Sequence, residues 1–89
     1  MKNKIHYAFY NKCHKASTKT SYLVSCEAEA KGMGSAFGNV ILEQILHTNK
    51  QLTRNTALQA CKKHIYEYKI EKTPFSGSAL SACLRKVGF

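Results

Sequence analysis

The residues of this chain best suited to chemistry are its four cysteines and four histidines. Cys61-Lys-Lys-His64 sets a thiol and an imidazole one helical turn apart, a spacing that suits two ligands of a zinc site, and Cys13-His14 with Cys26 offers further sulfur and nitrogen donors. No Cys-x-x-Cys pair accompanies them, and Cys61 falls on an apolar stripe. The cysteines therefore read as small buried hydrophobes, and no metal is assigned. Reduced thiols are expected over two disulfides, because the opening Met1-Lys-Asn-Lys-Ile-His-Tyr7 leads into no apolar run of signal-peptide length.

Other chemistries fail on spacing or on missing residues. His6, His14, His47 and His64 include the groups that metal-free RNA cleavage uses, but no spacing unites them. The chain has no Asp, so a Ser-His-Asp triad is absent, and a Cys-His dyad rests on composition alone. Glu27, Glu29, Glu43, Glu67 and Glu71 sit at spacings of solvated faces rather than as clustered cation ligands. Gly32-Met-Gly34-Ser-Ala-Phe37-Gly38 approximates a phosphate loop, but Phe37 stands at the third glycine position of the dinucleotide fingerprint and no Gly-Lys-Ser/Thr follows, so a turn is expected. No catalytic residue or cofactor is assigned, and the chain is expected not to be an enzyme.

The elements that would position these residues follow from periodicity. Ile5, Tyr7 and Phe9 alternate, predicting a first strand over 5–13. After a polar stretch, Tyr22, Val24, Cys26, Ala28 and Ala30 alternate and predict a second strand closing a hairpin. Lys31-Gly-Met-Gly-Ser35 reads as a turn, and 36–44 as a third strand with a bulge at Gly38, although Phe37, Val40, Ile41 and Ile45 also share a helical face. Leu58, Cys61, Ile65 and Tyr68 then mark the main helix, capped by Thr53 or Asn55 and finished before Pro74.

The tail, 78–87, admits two readings. As a strand it points Leu80, Ala82 and Leu84 inward; as a short helix it is capped by Ser78, striped by Leu80, Leu84 and Val87 and ended by Gly88. The strand is preferred because it covers a sheet edge. The expected fold is a single α+β domain over residues 1–89: an antiparallel sheet in β-β-β-α-β order with one main helix on one face. Tyr7, Phe9, Tyr10 and Tyr22 exceed what one helix covers, so the uncovered sheet face is expected either to form a homodimer or partner contact or to belong to a better-filled core.

Charge supplies the functional expectation. Fourteen Lys and Arg oppose five Glu, a net charge of +9, which attracts phosphate backbones and acidic protein surfaces. Lys2, Lys4, Lys12, Lys15 and Lys19 fall in the first 20 residues without one acid, placing the charge on the first hairpin, and Lys62, Lys63 and Lys69 add a second cluster on the helix. The candidate partner-binding residues are Lys12, Lys15, Lys19, Tyr10, Lys62 and Lys63. No stretch approaches a membrane span, so a cytoplasmic protein with no membrane partner is expected.

The order of hairpin, glycine-rich turn, Ala36-Phe-Gly-Asn-Val-Ile-Leu42 and Leu52-Thr-Arg-Asn-Thr56 opening a helix resembles the layout of small phage- and prophage-encoded proteins, including anti-CRISPR and other anti-defence inhibitors. That resemblance implies a non-enzymatic inhibitor in the host cytoplasm that binds and blocks a host protein or ribonucleoprotein complex. It carries over no individual site residue. A DNA- or RNA-binding module acting through phosphate contacts is the alternative.

Overall fold

A computed structural model describes residues 4–14, 20–48 and 51–89, and it is all-helical. The chain runs through α1 (Lys4–Cys13), α2 (Thr20–Thr48), α3 (Arg54–Glu67), a 3-10 turn (Ile70–Lys72) and α4 (Ser76–Lys86). No strand occurs among the described residues, which overturns the α+β expectation. The first predicted strand is α1. The second and third, with the glycine turn between them, are one 29-residue helix, α2. The preferred closing strand is α4, and the uncovered sheet face on which a homodimer was expected does not exist among the described residues. The polar connection of the expected hairpin falls largely on 15–19, outside the described residues.

The reason lies in how α2 is used. Its buried positions, Cys26, Ala30, Gly34, Phe37, Gly38 and Ile41, recur at helical spacing, and three of them are small. Period-two alternation over Tyr22–Ala30 is equally compatible with a helix when the alternating residues are Ala and Glu, which are good helix formers. Glu27 and Lys31 then stand one turn apart and pair at 3.5 Å.

Gly34 and Gly38 are the points at which α4 meets α2. A Cβ on Gly34 would overlap the Ala79 carbonyl oxygen, and one on Gly38 would lie 2.5 Å from the Lys86 Cβ. Because 34 meets 79 and 38 meets 83 and 86, the two helices run in the same direction with their backbones nearly touching. These glycines are mid-helix packing positions, and the energy lost in helix propensity is recovered in dispersion contact along the seam.

The main helix matches the sequence reading at its start. Thr53 caps α3, its Oγ1 accepting from the Thr56 N–H at 3.2 Å while the Thr56 hydroxyl accepts from the Thr53 N–H at 3.0 Å. Helix α3 returns antiparallel to α2, with Phe37 stacked on His64 and tilted against Tyr68 at centroid distances of 5.2 and 4.9 Å. Thr73, extended before Pro74, turns the chain by donating its hydroxyl to Ile70 O at 2.7 Å and accepting from the Phe75 N–H at 3.3 Å. At the end of α4, Gly88 adopts φ +98 and the Phe89 N–H reaches Leu84 O at 2.8 Å, a Schellman close that fits the alternative helical reading of the tail. The cap is not Ser78, however: Phe75 occupies that position.

The cysteines are paired, which corrects the expectation of reduced thiols. Cys13–Cys26 joins α1 to α2 and Cys61–Cys83 joins α3 to α4, with Cα atoms 5.8 and 6.0 Å apart. The largest fully buried side chains are Ile70 and these four half-cystines. Much of the centre of this small protein is therefore sulfur, and cross-links supplement an apolar core of limited size.

Two outcomes test this packing. Gly34→Ala should destabilise by about 1–3 kcal/mol through overpacking against α4. Gly32→Ala, whose Cβ meets nothing within 4 Å, should stabilise by about 0.5–1 kcal/mol. Both are read from urea unfolding midpoints, and equal effects would refute the seam. Separately, a reductant should lower stability by about 3 kcal/mol per bridge, and alkylation without reductant should add no mass.

Candidate anion-binding groove

The seam between α2 and α4 creates a groove along one flank. Because the backbones meet at Gly34 and Gly38, side chains beside the seam stand up as its walls: Lys31 and Ser35 from α2, and Ser78, Ser81, Arg85 and Lys86 from α4. Lys31 and Ser35 are one turn apart on α2; Gly77, Ser81 and Arg85 repeat at the same interval on α4. The recess has a volume of about 670 Å³ and no carboxylate in its lining. Three cations, of which Lys31 also pairs with Glu27, and three hydroxyls line an open recess, a donor set that carboxylate, sulfate or phosphate oxygens accept from.

Helix α4 carries no acidic residue in its first turn, so the positive end of its macrodipole at the groove is not offset by a carboxylate there. Helix α4 opens without a side-chain cap beside Gly77 and Ser78, both of which line the groove.

A second recess of about 420 Å³ lies on the other flank of α4, lined by Lys62, Ile65, Tyr66, Glu71, Ser76, Gly77 and Leu80. It is mostly apolar, with Tyr66 at its rim 70% exposed. The two recesses share Gly77, where a Cβ meets nothing within 4 Å.

The residues singled out from sequence are dispersed. Lys12 lies on α1, where Nζ pairs with Glu29 Oε1 at 3.0 Å and donates to Ser25 Oγ at 3.1 Å, so its charge is partly neutralised. Tyr10 is half-buried and stacks on His14 at 5.0 Å, while His14 Nδ1 lies 2.8 Å from Lys72 O, fixing α1 to the 3-10 turn. Lys62 and Lys63 are exposed on α3, and Lys62 lines the apolar recess. Lys15 and Lys19 lie outside the described residues. Cys61 is spent in a disulfide and His64 in its ring stack, so the Cys61–His64 spacing presents no thiolate.

Lys31, Ser35, Ser78, Ser81, Arg85 and Lys86 were not anticipated. Their common signal is the i, i+4 spacing of polar residues beside small ones, which becomes visible only once both segments are read as helices. Among the described residues no helix is long and apolar enough to cross a membrane, and no group of three or more His, Cys, Asp or Glu is placed to hold a metal.

Replacing Lys31 and Arg85 by Gln should lower the salt needed to elute the protein from heparin by more than replacing Lys62 and Lys63 by Gln. The net charge of the two variants is identical, so the difference isolates position; equal shifts would remove the groove as a distinct site. Compared with known proteins, the chain matches no family model, no curated protein and no solved structure.

Proposed function

We propose that this chain is a non-enzymatic binding protein that engages an anionic surface on a macromolecular partner through the α2–α4 groove and acts by occupying that surface. The observation that carries this reading is the groove's lining: Lys31, Arg85 and Lys86 with three hydroxyls and no carboxylate. An acid seated there pairs with Arg85 and Lys86 and shares Lys31 with Glu27, whereas a neutral partner would desolvate these cations without replacing the lost water.

Inhibition of a host protein complex is one form of such binding. The layout that suggested a phage anti-defence inhibitor was a hairpin leading into a strand, and those segments are helices, so the inhibitor reading now rests on size and charge. The paired cysteines support a partner met in an oxidising compartment, because glutathione and thioredoxin keep cytoplasmic thiols reduced. An inhibitor of a cytoplasmic ribonucleoprotein would have to work without both cross-links.

Affinity capture on the tagged protein, from a bacterial envelope fraction and a cytoplasmic lysate, each split with and without nuclease, tests the reading. The expected result is a discrete protein that survives nuclease and is lost when Lys31 and Arg85 are both Gln. Mixed nucleic acid that vanishes with nuclease, with an affinity falling steeply with salt, would replace this reading by the phosphate-binding module. Reversal of Lys12, Lys15 and Lys19 to Glu in the same assay reads the contribution of the N-terminal cluster.

A further inference from the structure

We propose that the two recesses flanking α4 act as one bipartite cleft for a short acidic peptide segment of a partner protein. Its carboxylates lie in the Lys31–Arg85 half and a bulky apolar side chain lies in the Tyr66–Leu80 half. This rests on the binding reading above and names the chemistry of the partner.

Three observations converge on a peptide. The first is adjacency: both recesses are lined by Gly77 at the first turn of α4, and open space stands where its side chain would project. A chain rising about 3.3 Å per residue spans one helical turn in a few residues.

The second is the division of charge. The basic half is lined by three cations, one of them, Lys31, paired with Glu27 outside the lining, and so keeps a net positive charge, whereas the apolar half holds one cation, Lys62, and one acid, Glu71. A nucleic-acid strand carries a phosphate at every step and would bring that charge into the half where only one lysine, offset by Glu71, stands. A peptide alternates charged and uncharged side chains, and its backbone N–H groups can donate to the Glu71 carboxylate.

The third is the character of the apolar walls. Ile65, Leu80 and the Tyr66 ring offer few partners for the donors and acceptors on a base edge, which would be buried unsatisfied. A Leu, Ile or Phe side chain carries no such groups and gains the burial outright. The rim tyrosine beside an aliphatic floor is the composition found at the anchoring points of protein interfaces.

The test selects a random dodecapeptide display library on the immobilised, oxidised protein. Affinities of a synthesised winner and of a dT oligonucleotide are then measured by fluorescence anisotropy. Enriched peptides are expected to combine Asp or Glu with Leu, Ile or Phe a few residues away. Tyr66→Ala, Gly77→Leu and the Lys31→Gln/Arg85→Gln pair should each weaken the winner by about tenfold or more. Tyr66 and Gly77 are exposed, and far-ultraviolet circular dichroism confirms that each variant remains folded.

Selection without an acid–apolar pattern would overturn the proposal, as would oligonucleotide binding that outcompetes the peptide and is lost in the same variants. If the Lys31/Arg85 pair matters while Tyr66→Ala and Gly77→Leu bind as the parent does, the bipartite cleft is wrong and the basic groove stands. If none of the three variants matters, both readings fall.

Discussion

The fold depends on the close approach of α2 and α4 at Gly34 and Gly38. Two helices whose axes are held apart by Leu or Ile side chains interlock over a broad band, but two that meet through glycine touch along their backbones. That contact fixes which residues flank the seam: the positions next round each helix, Lys31 and Ser35 on one side and Ser78, Ser81 and Arg85 on the other, become the walls of a groove. Larger side chains at 34 and 38 would push the helices apart and separate the cations from the serines.

Such a seam contributes little apolar burial for its length, and the disulfides answer to this. Phe9, Phe37, Ile41, Ile65, Ile70 and Phe75 provide the large apolar contacts, while Cys13–Cys26 and Cys61–Cys83 tie the peripheral helices α1 and α3 to the central pair. Each bridge limits the conformations of the unfolded chain, which matters most where the core cannot supply stability by size.

A rigid helical pair with cations on one flank of α4 and an aliphatic recess on the other is suited to binding by complementarity. The histidines described with side-chain contacts, His14 and His64, are engaged in holding elements together.

The sequence by itself determined the basic balance and the main helix, opening near Thr53 or Asn55 and finished before Pro74, because capping chemistry and proline sterics act within a few residues; Gly88 as a helix stop belongs to the reading of the tail that is not preferred. The sequence misled over the α2 segment: alternation across Tyr22–Ala30 and the glycines at 32 and 34 read as strand and turn, and only Phe37, Val40, Ile41 and Ile45 offered a helical face. Only tertiary structure decided between them, since a mid-helix glycine is favourable when another backbone lies against it, and Ala79 and Lys86 are more than 40 residues away. Cysteine pairing and the groove have the same cause. Cys61 finds Cys83, and Lys31 faces Arg85, through the packing of helices distant in sequence, which no local pattern encodes.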